Sequence, residues 1–406
     1  MNLSYFISKR IIDKKQDSFS STIHKIAIAS IGVGLAVMIV SFLILKGFQD
    51  TVKNKIYSFS SHLQVTKYTM GNAFEETPIS TNNEIYNNFE QYDFVRHVQE
   101  YTHKAGLIKT DDEIMGIIFK GVTSRFDQKN FESNLKAGRF IDFEQGSYAK
   151  EVLISQSIAD KLRIALNDEI VLHFIMDPPR VRKLKVVGIY ETNLSEYYDD
   201  KFVIGDMGLI QRLNNWADSV AGGMEIFIKD VNKLDEAEEQ LDNILDYDLY
   251  VEQVRDKYIQ VFDWLHLISR QVNIFLGIIL LVVCVNMISI ILIMIMERTQ
   301  MVGLLKSLGA THAQIRKIFT YSGMQLVFKG LILGNVLGIG LCLLQYYFQI
   351  IPLNPRDYYM SYVPIGWDWE IIALLNLLTF VVVSLIILIP GSVVSRINPI
   401  KTIKFD

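Results

Sequence analysis

The chain has 406 residues, half of them hydrophobic, with 40 Lys/Arg, 44 Asp/Glu and a net charge of −4. That balance gives no reason to expect a nucleic-acid partner. Both cysteines, Cys284 and Cys342, fall in long apolar stretches, and the seven histidines stand singly without His/Cys/carboxylate spacing, so neither a disulfide framework nor a metal site is expected.

In chain order, residues 3–15 place Leu3, Ile7 and Ile11 on one helical face and end on Lys14 and Lys15. Two readings stand: an amphipathic helix on the membrane surface, or a plain basic flank. Next comes Ile26–Leu45, the first of four stretches free of Asp, Glu, Lys and Arg; the others are Val272–Met296, Gly330–Phe348 and Ile371–Ile389. Each approaches the ~20 residues a helix needs to cross ~30 Å of hydrocarbon. Lys46-Gly47-Phe48 follows the first stretch in place of a small-residue cleavage site, so it is read as a retained anchor.

The 225 residues from Gly47 to Gln271 read as a soluble α+β fold of two lobes, with a break near 125–140. Strands are predicted at His62–Tyr68, Glu113–Val122, Glu169–Phe174, Lys183–Tyr190 and Met224–Lys229, where β-branched and aromatic residues sit between Gly, Asp or Pro. Helices are predicted at Ser155–Leu162 and Asn232–Leu245. From Tyr250 to Arg270 the spacing of Val254, Tyr258, Val261, Leu265 and Ile268 predicts a helix running straight into the second apolar stretch.

Charge orients the chain. Residues 50–270 carry 25 Lys/Arg against 37 Asp/Glu, a net −12, whereas residues 1–25, the 297–319 connection and the tail are all basic. Lys and Arg collect in short cytoplasmic loops, so both termini are expected in the cytoplasm and the large domain outside. The expected organisation is a cytoplasmic segment 1–25, span 26–46, periplasmic domain 47–270, span 271–296, cytoplasmic segment 297–319, span 320–348, periplasmic loop 349–370, span 371–390 and tail 391–406. In the third span Gly330, Gly334 and Gly338 form a small-xxx-small face suited to close helix packing. Lys329 beside it either snorkels to headgroups or serves transport chemistry.

The 297–319 connection carries most of the functional signal. Met301, Val302, Leu304, Leu305 and Leu308 form a short apolar helix ending at Gly309, and Thr311 stands at an N-cap before the third span. Five apolar side chains at a membrane surface imply a cover, either a docked partner or the inner ends of the chain's own helices. No G-x-x-x-x-G-K-[ST] motif occurs, and no serine elbow, paired-carboxylate motif or metal set points to an intrinsic enzyme.

Here the residues carry a likeness. Glu297-Arg298, the run Gly303-Leu304-Leu305-Lys306-Ser307-Leu308-Gly309-Ala310 and Ile318-Phe319 resemble the coupling segment of ABC permeases of the FtsX/MacB superfamily. Ile31 to Val37 with Lys46-Gly47-Phe48, Lys185 to Thr192, Leu353-Asn354-Pro355 through Val363-Pro364, and Asn398 to Lys401 are similar to its lipoprotein-releasing LolC/LolE branch. Asn167 departs from that pattern, standing where glycine usually precedes Asp168.

The resemblance implies a non-catalytic subunit of the bacterial inner membrane. It would pair with a second permease chain, identical or paralogous, and with an ABC ATPase subunit that handles ATP and Mg, no cofactor being bound by this chain. The lipoprotein substrate would pass toward a LolA-like periplasmic carrier. Glu297, Arg298, Met301, Gly303, Leu304, Leu305, Lys306, Ser307, Leu308 and Gly309 would couple to the ATPase. Phe42, Leu43, Phe48, Phe275 and Leu276 would line an acyl-chain cavity or else face lipid. Asp177, Pro178, Pro179 and Arg180 would form a short carrier-docking loop or a plain strand connector. Relatives that act on other cargo, or a membrane-anchored scaffold with no transport cycle, remain as alternatives.

Overall fold

The computed structural model describes residues 18–67, 76–110, 113–143 and 148–393. The expected amphipathic segment and the closing Asn398–Lys401 lie outside the described residues. The chain divides into two compact units, Met1–Asp50 with Trp264–Pro352 and Tyr362–Asp406, and Thr51–Asp263 with Leu353–Ser361.

The first unit is helical. Its elements are α1 (Ser18–Ser60), α2 (Ile259–Glu297), α3 (Thr299–Ser307), α4 (His312–Phe348) and α5 (Trp369–Val393). Four of these, all but α3, are long and apolar enough to cross a membrane. The 43 residues of α1 reach about 65 Å at 1.5 Å per residue, twice the hydrocarbon thickness. Its apolar stretch therefore fills less than half of it, and its last turns belong in sequence to the second unit. Leu35, Met287, Ile291, Phe319 and Leu326 are buried at the centre of the helical core. Phe275, Leu281, Val336 and Leu377 stay more than half exposed, the apolar outer surface that lipid tails would cover.

The second unit is built on one mixed sheet. Its strands are β1 (Leu63–Lys67), β2 (Ile79–Ser80), β3 (Val95–Lys109), β4 (Ile114–Val122), β5 (Leu135–Gly138) and β6 (Glu151–Ser155). They continue with β7 (Glu169–Phe174), β8 (Arg180–Tyr190), β9 (Phe202–Asp206), β10 (Val220–Ala221), β11 (Gly223–Ile228) and β12 (Leu249–Gln253). Ten of them pair in the order β12-β1-β11-β3-β4-β9-β6-β8-β5, with β7 bridging β3 and β8, while β2 and β10 form a separate pair. β4–β9 and β6–β8 run parallel. Two apolar clusters flank this sheet, one around Phe119, Ile154, Leu172 and Val203, the other around Leu63, Ile85, Ile226 and Leu241.

Several expectations need correction. The two lobes are a single sheet with two cores, and residues 125–140 hold no break. Asp127 caps the short helix Gln128–Phe131, and β5 then pairs with β8. Tyr250–Gln253 is strand, because Val251 pairs with Val65 on β1; helix resumes at Val254 and again at Ile259. The helix of the third span runs from His312, capped at Thr311 as the sequence suggests, and the expected span 320–348 is its continuation. Asn167 adopts φ +73, so the turn that glycine usually makes is kept by asparagine.

His62 is buried at the start of β1, its Nδ1 accepting the backbone N–H of Ile228 at 2.9 Å and its ring edge-on to Tyr57 at 4.5 Å. A protonated ring could not accept that bond. Burial first, and Arg96 second, push its pKa down to about 4. The unfolded chain thus binds a proton between pH 6.5 and 4 that the fold refuses, so stability rises with pH across that window. The difference is on the order of 3 kcal/mol. Urea unfolding of the detergent-solubilised chain at pH 4.5 and pH 7 should show it, and His62→Gln should flatten the slope. An unchanged slope in that variant would assign the acid sensitivity elsewhere.

Candidate functional site: the membrane elbow and its surroundings

The Glu297–Phe319 connection folds as a helix–turn–helix elbow. α3 ends in a Schellman motif: Gly309 takes φ +94, its N–H reaches Lys306 O at 3.0 Å, and Ala310 N–H reaches Leu305 O at 2.9 Å. Two residues later Thr311 and Gln314 form a reciprocal capping box at the start of α4. Only glycine reaches that φ without strain, so the elbow's angle is set by local sequence.

The expected row of five exposed apolar side chains is only partly present. Val302 is completely buried in the core of the helical unit, Gly303 is buried, and Met301 packs against the same core. Leu305 and Lys306 are half-buried, and Glu297, Ser307 and Gly309 are exposed. Leu304 and Leu308, 58% and 76% exposed, project outward. One face of α3 thus anchors the elbow and the other presents two leucines to whatever covers it. Sequence periodicity could not divide these faces on a nine-residue helix.

Glycines set the helix crossings. A Cβ at Gly330 would stand 2.7 Å from Ile31 Cβ, one at Gly334 2.8 Å from Leu35 Cβ, and one at Gly338 3.1 Å from Ala36 Cα. All three face α1. On α1 itself, Gly32 faces Leu333 of α4, while Gly34 faces Val283 of α2. The Gly32-Val33-Gly34 triplet therefore seats α1 between two neighbours. A reciprocal Asn335–Asn376 pair, at 2.7 and 3.0 Å, ties α4 to α5 inside the apolar layer. Lys329 is exposed.

At the other end of the spans, Lys46-Gly47-Phe48 forms a collar. A Cβ at Gly47 would lie 2.5 Å from Gly366 N, and Gly366 N–H donates to Leu43 O at 2.9 Å. Lys46 pairs with Asp368 at 3.4 Å and Asp50 at 3.7 Å, and Phe48 stands edge-on to Trp264. Trp367 and Trp369 stack nearby, the aromatic pairing common at membrane interfaces. Gly366 and Asp368 were not singled out by sequence; Gly47 was, without its partner.

The residues proposed for an acyl-chain cavity separate. Leu43 and Leu276 are buried in the helical core and Phe42 packs against it, so they face the chain's own helices. Phe275, 55% exposed, lines an open groove of about 680 Å³ between α1 and α2. Val33, Val37, Ile278 and Val282 line it too, with Asn286 donating to Ser30 Oγ at 3.0 Å. In the second unit, Asp177, Pro178 and Pro179 are exposed and Arg180 half-buried at the β7–β8 turn. Beside that turn Ile114, Ile175 and Val181 leave 64%, 58% and 47% of their surface uncovered. Tertiary pairing around β3, invisible in sequence spacing, brings Ile114 and Ile175 to line one groove.

Four spanning helices with an α+β domain inserted between the first two, and a capped elbow between the second and third, define a multi-pass permease subunit. Its sequence matches the FtsX-like permease C-terminal model over residues 273–399 and the MacB-like periplasmic core domain model over residues 26–244. The chain belongs to the FtsX/MacB family of ABC transporter permeases. It is 22% identical to the lipoprotein-releasing system transmembrane protein LolC of Neisseria meningitidis serogroup B, over 97% of this chain and 96% of that protein. It is also 22% identical to LolE of Haemophilus influenzae, over 99% of both. Among solved structures, the periplasmic region of MacB from Actinobacillus actinomycetemcomitans aligns with 50% of this chain and 92% of its own, at 14% identity and a TM-score of 0.33.

Proposed function

We propose that this chain is the membrane subunit of an ABC transporter that releases lipoproteins from the inner membrane, driven by a separate ATPase. The observation that carries the reading is the end-to-end match to relatives named for lipoprotein release. The basic short loops support cytoplasmic termini and a periplasmic inserted domain. In that orientation the elbow faces the cytoplasm, and Leu304 and Leu308 enter an apolar groove of the ATPase. ATP and Mg bind there, and a second permease chain completes the complex.

The energetic demand is large. A lipid anchor of roughly 40 methylenes costs about 30 kcal/mol to move into water at ~0.8 kcal/mol per CH₂. An apolar path is therefore needed throughout, and the α1–α2 groove, closed by a second permease, supplies one. ATP-driven movement of the helices would squeeze the acyl chains along it toward the inserted domain, and the apolar β7–β8 edge would receive a carrier.

Purification of the full chain from its own membrane in mild detergent tests this. An associated Walker-motif ATPase together with acylated proteins is the expected result. An ATPase without acylated proteins would reassign the cargo, and neither would remove the transporter reading.

A further inference from the structure

The second unit contains a completely buried ion pair that no part of the release mechanism has yet used. Lys120 on β4 and Glu225 on β11 are 1% and 0% exposed and meet at 2.6 Å. Lys120 Nζ also donates to the backbone carbonyl of Phe59, at the last turn of α1, and lies 4.8 Å above the Phe59 ring. A carbonyl there has no intrahelical donor, and a cation suits the negative end of the helix dipole. Glu225 Oε2 accepts from Gln99 Nε2 at 2.7 Å, and Oε1, which takes Lys120, also accepts from Gln64 Nε2 at 3.4 Å.

The network reaches the second long helix as well. Gln64 Nε2 also contacts Ser60 O at 3.3 Å, and Gln64 Oε1 accepts from Lys257 Nζ at 2.9 Å, two residues before α2 begins. Around it, Ser60 Oγ bonds Tyr198 OH at 2.9 Å, and Phe59 stacks on Tyr198 at 4.1 Å. One carboxylate in the middle of the sheet thus holds both the end of α1 and the approach to α2. A buried ion pair adds little net stability, because desolvation offsets its attraction. What it does fix is the place of the groups it joins.

We propose that Lys120 and Glu225 are positioning residues of a transmission joint, locking the last turn of α1 and the approach to α2 to the sheet so that a displacement of those segments is carried into the sheet. This rests on the proposed transport function for its purpose, but not for its geometry. The test uses the full chain with Cys284→Ala and Cys342→Ala in lipid nanodiscs, carrying nitroxide labels at Asn54→Cys on α1 and Ser124→Cys after β4, both exposed. The double variant Lys120→Met/Glu225→Gln keeps side-chain size and leaves no lone buried charge, so the domain should still fold, as circular dichroism would check.

The distance distribution between the labels should be narrow in the parent and broad in the double variant. In proteoliposomes of the assembled complex with a purified triacylated lipoprotein, release per ATP hydrolysed should fall about tenfold, the scale of ordinary coupling energies. Unchanged widths overturn the joint, and broad widths with an intact release ratio overturn its transmission role. A double variant that no longer folds would also overturn the proposal, because the pair would then be a stability element. If the parent complex releases no lipoprotein, the proposed function fails, and that failure is visible without any variant.

Discussion

Gly334→Leu should collapse the helical unit, whereas Gly340→Leu, six residues along the same helix, should be tolerated. A side chain at 334 would place its first carbon 2.8 Å from Leu35 Cβ and 2.9 Å from the Gly32 carbonyl, both part of the α1 surface. One of those contacts is backbone and cannot rotate away, so α1 and α4 must separate. Overpacking a tight interface costs about 1–3 kcal/mol and sometimes more. Here the separation also opens the buried core to which Ile31, Leu35, Leu326 and Leu331 all belong. At Gly340 nothing lies within 4 Å, and an added leucine would meet only lipid or a second subunit. Thermal unfolding in detergent should show a Tm loss of many degrees for the first variant and little for the second. Equal tolerance would mean that the α1–α4 crossing is not held by small residues.

Leu304→Asp should leave the chain folded and disable it in its complex. The side chain is 58% exposed, and exposed substitutions usually stay within about 0.5 kcal/mol of neutral. In the proposed complex the same leucine fills an apolar groove of the ATPase, where an unpaired carboxylate would be buried. Anchor residues of that kind cost about 2–4 kcal/mol when lost, or roughly thirtyfold to a thousandfold in affinity. Co-purification of the ATPase and ATP-driven release should both drop, with the melting temperature of the isolated chain unchanged. Val302→Asp makes the contrast: it buries a charge in the chain's own core and should unfold the elbow itself. If Leu304→Asp retains full ATPase binding and release, the elbow is not the coupling surface.

The two variants also mark what was legible at the elbow. Gly309 and Thr311 act within a few residues of themselves, through a positive φ and a side-chain cap, and the turn they make was readable in the sequence. The division between buried Val302 and exposed Leu304 was not, because it depends on where the inner ends of the long helices stand. Gly330, Gly334 and Gly338 were legible as a small-residue face, but their opposite numbers on α1 were not. Tyr250–Gln253 misled for the same reason. Its spacing suits a helix, and only the presence of β1 alongside makes it a strand.

Span number, span length, the charge partition and the caps were fixed by the order of residues, because transfer into hydrocarbon and helix-end hydrogen bonds are local and additive along a chain. Lys120 and Glu225 lie 105 positions apart, and Gly47 is separated from Gly366 by the inserted domain and two further long helices. Nothing in local composition distinguishes these residues from other lysines, glutamates or glycines. Only the tertiary structure brings them together, since a buried charge or a missing Cβ acquires meaning from the one neighbour it meets.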